Sequence, residues 1–162
     1  MFKIRKATVE DIPLIRTLTF QVWPRTYSKI LSVEQISYML DMMYSVSSLT
    51  KQMEEKCQFI IIYSRGEPVG FASYQELKPT VWKLHKLYVL ITKQGQGTGR
   101  FMMDYIIEEI KKQGARSLEL QVNRQNHAKK FYQKLGFTER EMIKLDIGNG
   151  YFMDDYVMEK LV

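Results

Sequence analysis

Cysteine occurs once in these 162 residues, at Cys57, which excludes an internal disulfide and any metal site built from several thiolates. A lone thiol suits a reducing compartment, so the expected location is cytoplasmic, and no metal is expected. Long apolar runs are also missing. The best, "FIIIY" at Phe59–Tyr63, is strand-sized and far short of a membrane span, so no membrane partner is expected. The opening "MFKIRKATVEDIP" lacks the apolar centre of a signal peptide. Repeats, linkers and low-complexity segments are absent, which leaves one domain over residues 1–162 with enough chain to bury a core.

Positive charge is in surplus. A net charge of +6 favours an anionic ligand, without distinguishing nucleic acid, a phosphate-bearing cofactor or a lipid surface. Along the chain, "FKIRKA" reads as a first strand, and Thr8 with Asp11 forms a helix-start pair. Ile12, Ile15, Leu18 and Val22 follow at helical spacing, and Pro24 is expected to end that helix. A second helical region runs from about Val33 to Lys56, with a break expected near the serines of "SVSSL". Next come the strands "QFIIIYS" and "VGFASYQ" around the turn "RGEP", then "VWKLHKLYVL". In this last strand Trp82 and Leu84 share one parity and Leu87 and Val89 the other, a slip that a β-bulge would produce.

The stretch "QGQGTGR", Gln94–Arg100, crowds three glycines between that strand and a helix striped by Met102, Met103, Ile106, Ile107 and Ile110. A helix N-terminus offers free N–H groups and a positive dipole end, and glycines let the backbone approach a phosphate closely. The spacing is not a P-loop, because no Lys-Ser/Thr pair follows the last glycine. A strand "SLELQV", a helix "NHAKKFYQKLGF" and a final strand pair around "GNG" complete a mixed α/β domain with one central sheet.

The pattern Q-x-x-G-x-G after "LYV", followed one strand later by "NHAKKFYQKLGF", resembles the GNAT superfamily of acetyl-CoA-dependent N-acetyltransferases. That resemblance implies an α/β (α+β) fold: a twisted, mostly antiparallel mixed sheet of about seven strands flanked by about four helices, with a bulged, splayed strand pair. It further implies that Gln94, Gly95, Gly97, Thr98, Gly99 and Arg100 cradle the diphosphate of coenzyme A, and that main-chain groups of Leu87 and Val89 pair with its pantetheine arm. Asn126 matches the asparagine that meets the cofactor, one residue closer to the tyrosine than is usual, with Gln125 in the usual slot. Tyr132 matches the tyrosine that protonates the departing thiolate; a phenol suits this because its pKa lies above that of a thiol.

Lys83 stands where the family often has a basic glutamate, so His85 becomes the candidate general base, with Glu76 in reserve. His127 reads as solvated, and Cys57 as buried rather than nucleophilic, which favours direct transfer. Trp23 and Tyr27 are candidates for the acceptor site. Within the superfamily, "KLHKLYV", "FYQKLGF" and "MDDYVMEK" look most like the bacterial spermidine/spermine acetyltransferase group. The implied acceptor is a primary amine, polyamine-like or a peptide, and Asp146, Asp154 and Asp155 are a candidate acidic patch for it. A homodimer is admitted. The alternatives are an acetyl-CoA sensor without turnover and a nucleic-acid-binding module using Lys111–Lys112 and Lys129–Lys130; the solvated-helix reading of those lysines disfavours the second.

Overall fold

The computed structural model describes all residues, Met1–Val162. Strand β1, Phe2–Lys6, leads into a single 3-10 turn at Val9–Asp11. Thr8 caps that turn: its Oγ1 accepts from the Glu10 N–H at 3.3 Å, while Asp11 Oδ2 accepts from the Thr8 N–H at 2.8 Å. Arg5 holds the same carboxylate through two bonds of 2.9 Å, fixing β1 against the start of helix α1, Ile12–Tyr27.

Pro24 does not end α1, contrary to the expectation above. Proline removes the N–H that the carbonyl of Phe20 would otherwise receive. Phe20 is exposed, so water can replace that donor. The helix runs on to Tyr27, and the Ser28 N–H closes it on the Pro24 carbonyl at 3.0 Å.

The next helical region divides at the serines into α2, Val33–Tyr44, and α3, Val46–Glu54. Ser45 is extended, and its Oγ accepts from the Ser48 N–H at 3.1 Å, which caps α3 as α2 stops. The division gives five α-helices where four were expected. None is long and apolar enough to cross a membrane.

The remaining elements are β2 (Gln58–Ser64), β3 (Glu67–Lys78), β4 (Val81–Val89), α4 (Thr98–Lys112), β5 (Ser117–Asn123), α5 (Ala128–Lys134), β6 (Thr138–Gly148) and β7 (Tyr151–Leu161). They form one seven-stranded sheet in the order β1-β2-β3-β4-β5-β7-β6. Only β4 and β5 run parallel, because α4 supplies the long crossover a parallel pair requires. Ile60 and Ile62 enter the core under α4 and α5, whereas Phe59 and Ile61 enter the core under α1–α3. Burial on both faces explains why "FIIIY" is apolar throughout.

The bulge lies where the parity slips. Ser73 pairs with Lys86 and Tyr74 with Leu84, so His85 is the extra residue of β4. Trp82, Leu84 and Val89 share one core, while Lys86 turns to the opposite face over the rings of Tyr44 and Phe59. Pairing of β4 with β5 stops at Leu84 and Leu120. Beyond that point β5 continues against β7 through Asn123, and the two strands part.

Gly70 holds β3 close to the free end of β4. A Cβ there would lie 2.5 Å from the carbonyl oxygen of Tyr88, a backbone atom that cannot rotate away. Gly70→Ala is therefore expected to lower unfolding free energy by about 1–3 kcal/mol through forced backbone shifts. Urea unfolding measures this; an unchanged midpoint would mean that β3 and β4 separate without loss.

Candidate active site

The parting of β4 and β5 opens a cavity of about 950 Å³ that crosses the sheet. One end is walled by the glycine loop and α5, the other by α1, α2 and the β6–β7 hairpin. The hairpin is fastened in place: Tyr38 donates to the Ile147 carbonyl at 2.7 Å, and Gln35 Nε2 donates to the Phe152 carbonyl at 2.8 Å.

The three glycines of the loop serve different needs. Gly95 and Gly97 have φ of +79° and +82°, left-handed values that disfavour any side chain. Gly99 is already helical; a Cβ there would meet Phe131 Cζ at 2.9 Å, so its smallness lets α5 approach α4. Gly97 caps α4 with no side-chain hydrogen bond, which leaves the first-turn N–H groups of Thr98, Gly99 and Arg100 without helical acceptors. Those donors sit beside the cavity. Gln94 fixes the loop to the strand, its Nε2 donating to the Val89 carbonyl at 3.1 Å. Leu87 and Val89 line the cavity on the stretch of β4 that β5 no longer covers. Asn126 also lines it, with Oδ1 accepting from the Ala128 N–H at 2.9 Å, whereas Gln125 is exposed and outside it.

Tyr132 reaches the cavity from α5, buried between Phe131 and Phe137 with ring centroids at 5.2 and 5.8 Å. Burial, then the nearby Tyr27, pushes its phenol well above the ordinary range, and no protein group hydrogen-bonds to it. From the other side of the sheet, the hydroxyls of Tyr27 and Tyr88 meet at 3.1 Å. Trp23 packs against Tyr27 with ring centroids 4.5 Å apart and the planes tilted by 43°, and it also lines the cavity.

His85 projects from the bulge at the cavity wall, with Nε2 3.0 Å from Gln75 Oε1. The residue as a whole is exposed, with Lys83 and Lys86 near enough to act on its charge. Desolvation, followed by Lys83 and Lys86, lowers its pKa to about 4. A lowered pKa leaves the imidazole neutral at physiological pH. Glu76 is exposed and outside the cavity, and His127 is exposed at the start of α5. Cys57 is buried, which pushes its thiol pKa up. Lys112 and Lys129 sit beside Glu109 and Glu139 at 3.6 and 2.8 Å.

Two buried charged groups line the cavity, Lys86, which the sequence did not single out, and Asp155, one of the three expected acids. Lys86 is held by Gln52 Oε1 at 2.7 Å without a carboxylate, and burial lowers its pKa to about 8. Asp155 is 2% exposed, and it is the only carboxylate lining the cavity. Burial and Asp154 raise its pKa to about 6 against the opposing pull of Lys83. The expected acidic patch thus reduces to this one group, because Asp146 and Asp154 are exposed and outside the cavity. Alternation in "MDDYVMEK" was the available signal: Asp155 shares its parity with Val157, a core position.

Comparison with known proteins agrees with this architecture. The model of the acetyltransferase (GNAT) domain matches residues 28–148. The [ribosomal protein bS18]-alanine N-acetyltransferase of Haemophilus influenzae is 25% identical over 126 residues, 78% of this chain and 81% of that protein. An uncharacterised N-acetyltransferase of Methanocaldococcus jannaschii is 34% identical over 93 residues, 53% of this chain and 41% of that protein. The crystal structure of the PaiA N-acetyltransferase of Thermoplasma acidophilum in complex with coenzyme A superposes with a TM-score of 0.85 at 24% identity, covering 100% of this chain and 99% of that one. None of these descriptions names a polyamine, so the likeness to spermidine/spermine acetyltransferases widens to the family as a whole. The glycine loop, the parted strands and the Tyr132 helix all fall within the matched span, and the chain belongs to the GNAT family of acetyltransferases.

Proposed function

We propose that this acetyltransferase moves the acetyl group of acetyl-CoA directly to a primary amine, with Tyr132 as the proton donor to the leaving sulfur. One observation carries the reading: the uncapped start of α4 and the Tyr132 hydroxyl border one cavity, opened where β4 and β5 part. Acetyl-CoA supplies a thioester, whose carbonyl carbon is open to attack and whose sulfur can leave.

The loop residues Gln94, Gly95, Gly97, Thr98, Gly99 and Arg100 hold the diphosphate, chiefly through the free N–H groups and the positive helix end. Main-chain groups on the bare stretch of β4 at Leu87 and Val89 pair with the amides of the pantetheine arm. Because Gln94 already occupies the Val89 carbonyl, the Val89 N–H is the group left for that pairing. Asn126 contributes its side-chain amide at the mouth of α5.

The unprotonated amine attacks the carbonyl carbon, a C–N bond forms, and the C–S electron pair goes to sulfur. Tyr132 gives its hydroxyl proton to that sulfur and recovers one from the nitrogen, so the phenol ends as it began. Its raised pKa keeps the proton in place until the sulfur is charged. No cysteine intermediate enters, since Cys57 does not line the cavity. His85 serves as a neutral imidazole beside the acceptor rather than as a group that ionises near pH 7.

Tyr132→Phe keeps the ring and removes the proton. It should retain acetyl-CoA affinity by calorimetry while kcat falls about a hundred- to ten-thousandfold. Unchanged turnover would remove Tyr132 from the mechanism. Gly97→Val places a β-branched residue at a φ of +82°, a strain of about 1–3 kcal/mol that moves the loop. Acetyl-CoA affinity should then fall about tenfold or more while the thermal transition stays cooperative. Full affinity in this variant would mean that the loop does not hold the cofactor.

A further inference from the structure

Asp155 lies at the open end of the parted strands, on β7 opposite Asn123, the last residue of β5. Its carboxylate borders the cavity, is 2% exposed, and hydrogen-bonds to no protein group. A buried, unpartnered acid is costly to keep, and such groups persist where a ligand meets them. The charged and titratable groups facing it are Asp154 on its own strand, Lys83 on β4 and Tyr27 on α1. Lys83 attracts it without forming an ion pair, so the carboxylate remains free.

The surroundings define what could pair with it. Arg25, Lys83, Lys86, Arg100 and Lys134 line the same cavity, against this single acid. On the acceptor side the wall is largely apolar, formed by Trp23, Met39, Met43, Ile147 and Met153, with Arg25 and Gln35 among them and no second acid. The hydrogen bonds from Tyr38 and Gln35 to the hairpin, and the Tyr38–Tyr151 ring contact at 5.2 Å, keep that wall closed. The space therefore suits one cationic head on an apolar body. A polyamine would place its second ammonium against methionine and tryptophan or beside a lysine, with no further carboxylate to receive it.

We propose, on the acetyltransferase reading above, that Asp155 receives the acceptor as its ammonium ion and takes up the proton that the nitrogen loses before it attacks, and that the acceptor is a primary monoamine with an apolar body. With a pKa of about 6, the carboxylate is ionised above that pH and protonated below it. Anchoring is thus present at pH 7 and lost as pH falls through about 6.

The test compares wild type with Asp155→Asn and Asp155→Glu, using 2-phenylethylamine, spermidine and an alanine-initiated tripeptide as probes. Wild type should prefer 2-phenylethylamine, and its kcat/KM should decline below pH 6. Asp155→Asn should raise the KM for that amine about tenfold or more, lower kcat as well, and replace the decline below pH 6 by one that follows the amine's own ionisation. Asp155→Glu should restore the decline, and calorimetric acetyl-CoA affinity should be equal in all three proteins. If Asp155→Asn does not fold, calorimetry of 2-phenylethylamine on coenzyme A-loaded wild type provides the same test, since binding must weaken below pH 6. An unaltered KM and pH profile in the Asn variant, binding that ignores pH, or preference for spermidine or the tripeptide overturns the proposal. Acetyl-CoA binding without any capture of 2-phenylethylamine overturns it and leaves the cofactor reading standing. No acetyl-CoA binding in wild type overturns both.

Discussion

A strand that gains one residue relative to its neighbour must place that residue outside the ladder and bend. In this chain the residue is His85, and nearly everything at the cavity depends on it. Below the bulge, β4 pairs with β5 and seals the sheet; above it, the two diverge. The divergence joins two regions that a continuous sheet would keep apart. On one side α4 offers bare N–H groups, and on the other α1, α2 and the hairpin form an aromatic and methionine-rich wall. Gly70 keeps β3 tight against the free part of β4, so the opening falls between β4 and β5 alone.

The electrostatics follow the same division. Cations dominate the cavity lining, which suits a diphosphate at the loop end and raises the cost of protonating His85. Lys86, pressed over the rings of Tyr44 and Phe59, gains cation–π contact and one hydrogen bond in place of a counter-ion. Asp155 works against this field over a short range only. A single acid in a basic cavity makes its two ends chemically unlike.

Much of this was legible in the sequence because it rests on local chemistry. Thr8 with Asp11, the serines around Ser45 and the parity change from Leu84 to Leu87 each encode a backbone event within a few residues. The loop glycines were legible as a group but not singly: Gly95 and Gly97 are needed for their φ values, Gly99 for its distance from Phe131, thirty-odd residues later in the chain. Pro24 misled because its effect depends on whether water reaches the Phe20 carbonyl, a matter of which face is exposed. His85 and Asp155 were harder for the same reason. Their ionisation is set by burial and by Lys83 on β4, so neither value follows from residue type or spacing.

The parted strands also affect how the molecule avoids other chains. A sheet has edges, and unpaired main-chain groups along them can recruit a foreign strand. Here the outer edges are guarded by charge: Lys3, Arg5 and Lys6 on β1, and Glu139, Arg140, Glu141 and Lys144 on β6. The edges created between β4 and β5 carry no such guard, since Leu87, Val89 and Val122 must stay apolar to line the cavity. Enclosure protects them instead, with α5 and the loop on one side and the fastened hairpin on the other. On the reading proposed above, the amide groups of an extended cosubstrate complete the ladder there. The device that admits an extended cosubstrate therefore also excludes a β-strand from another protein.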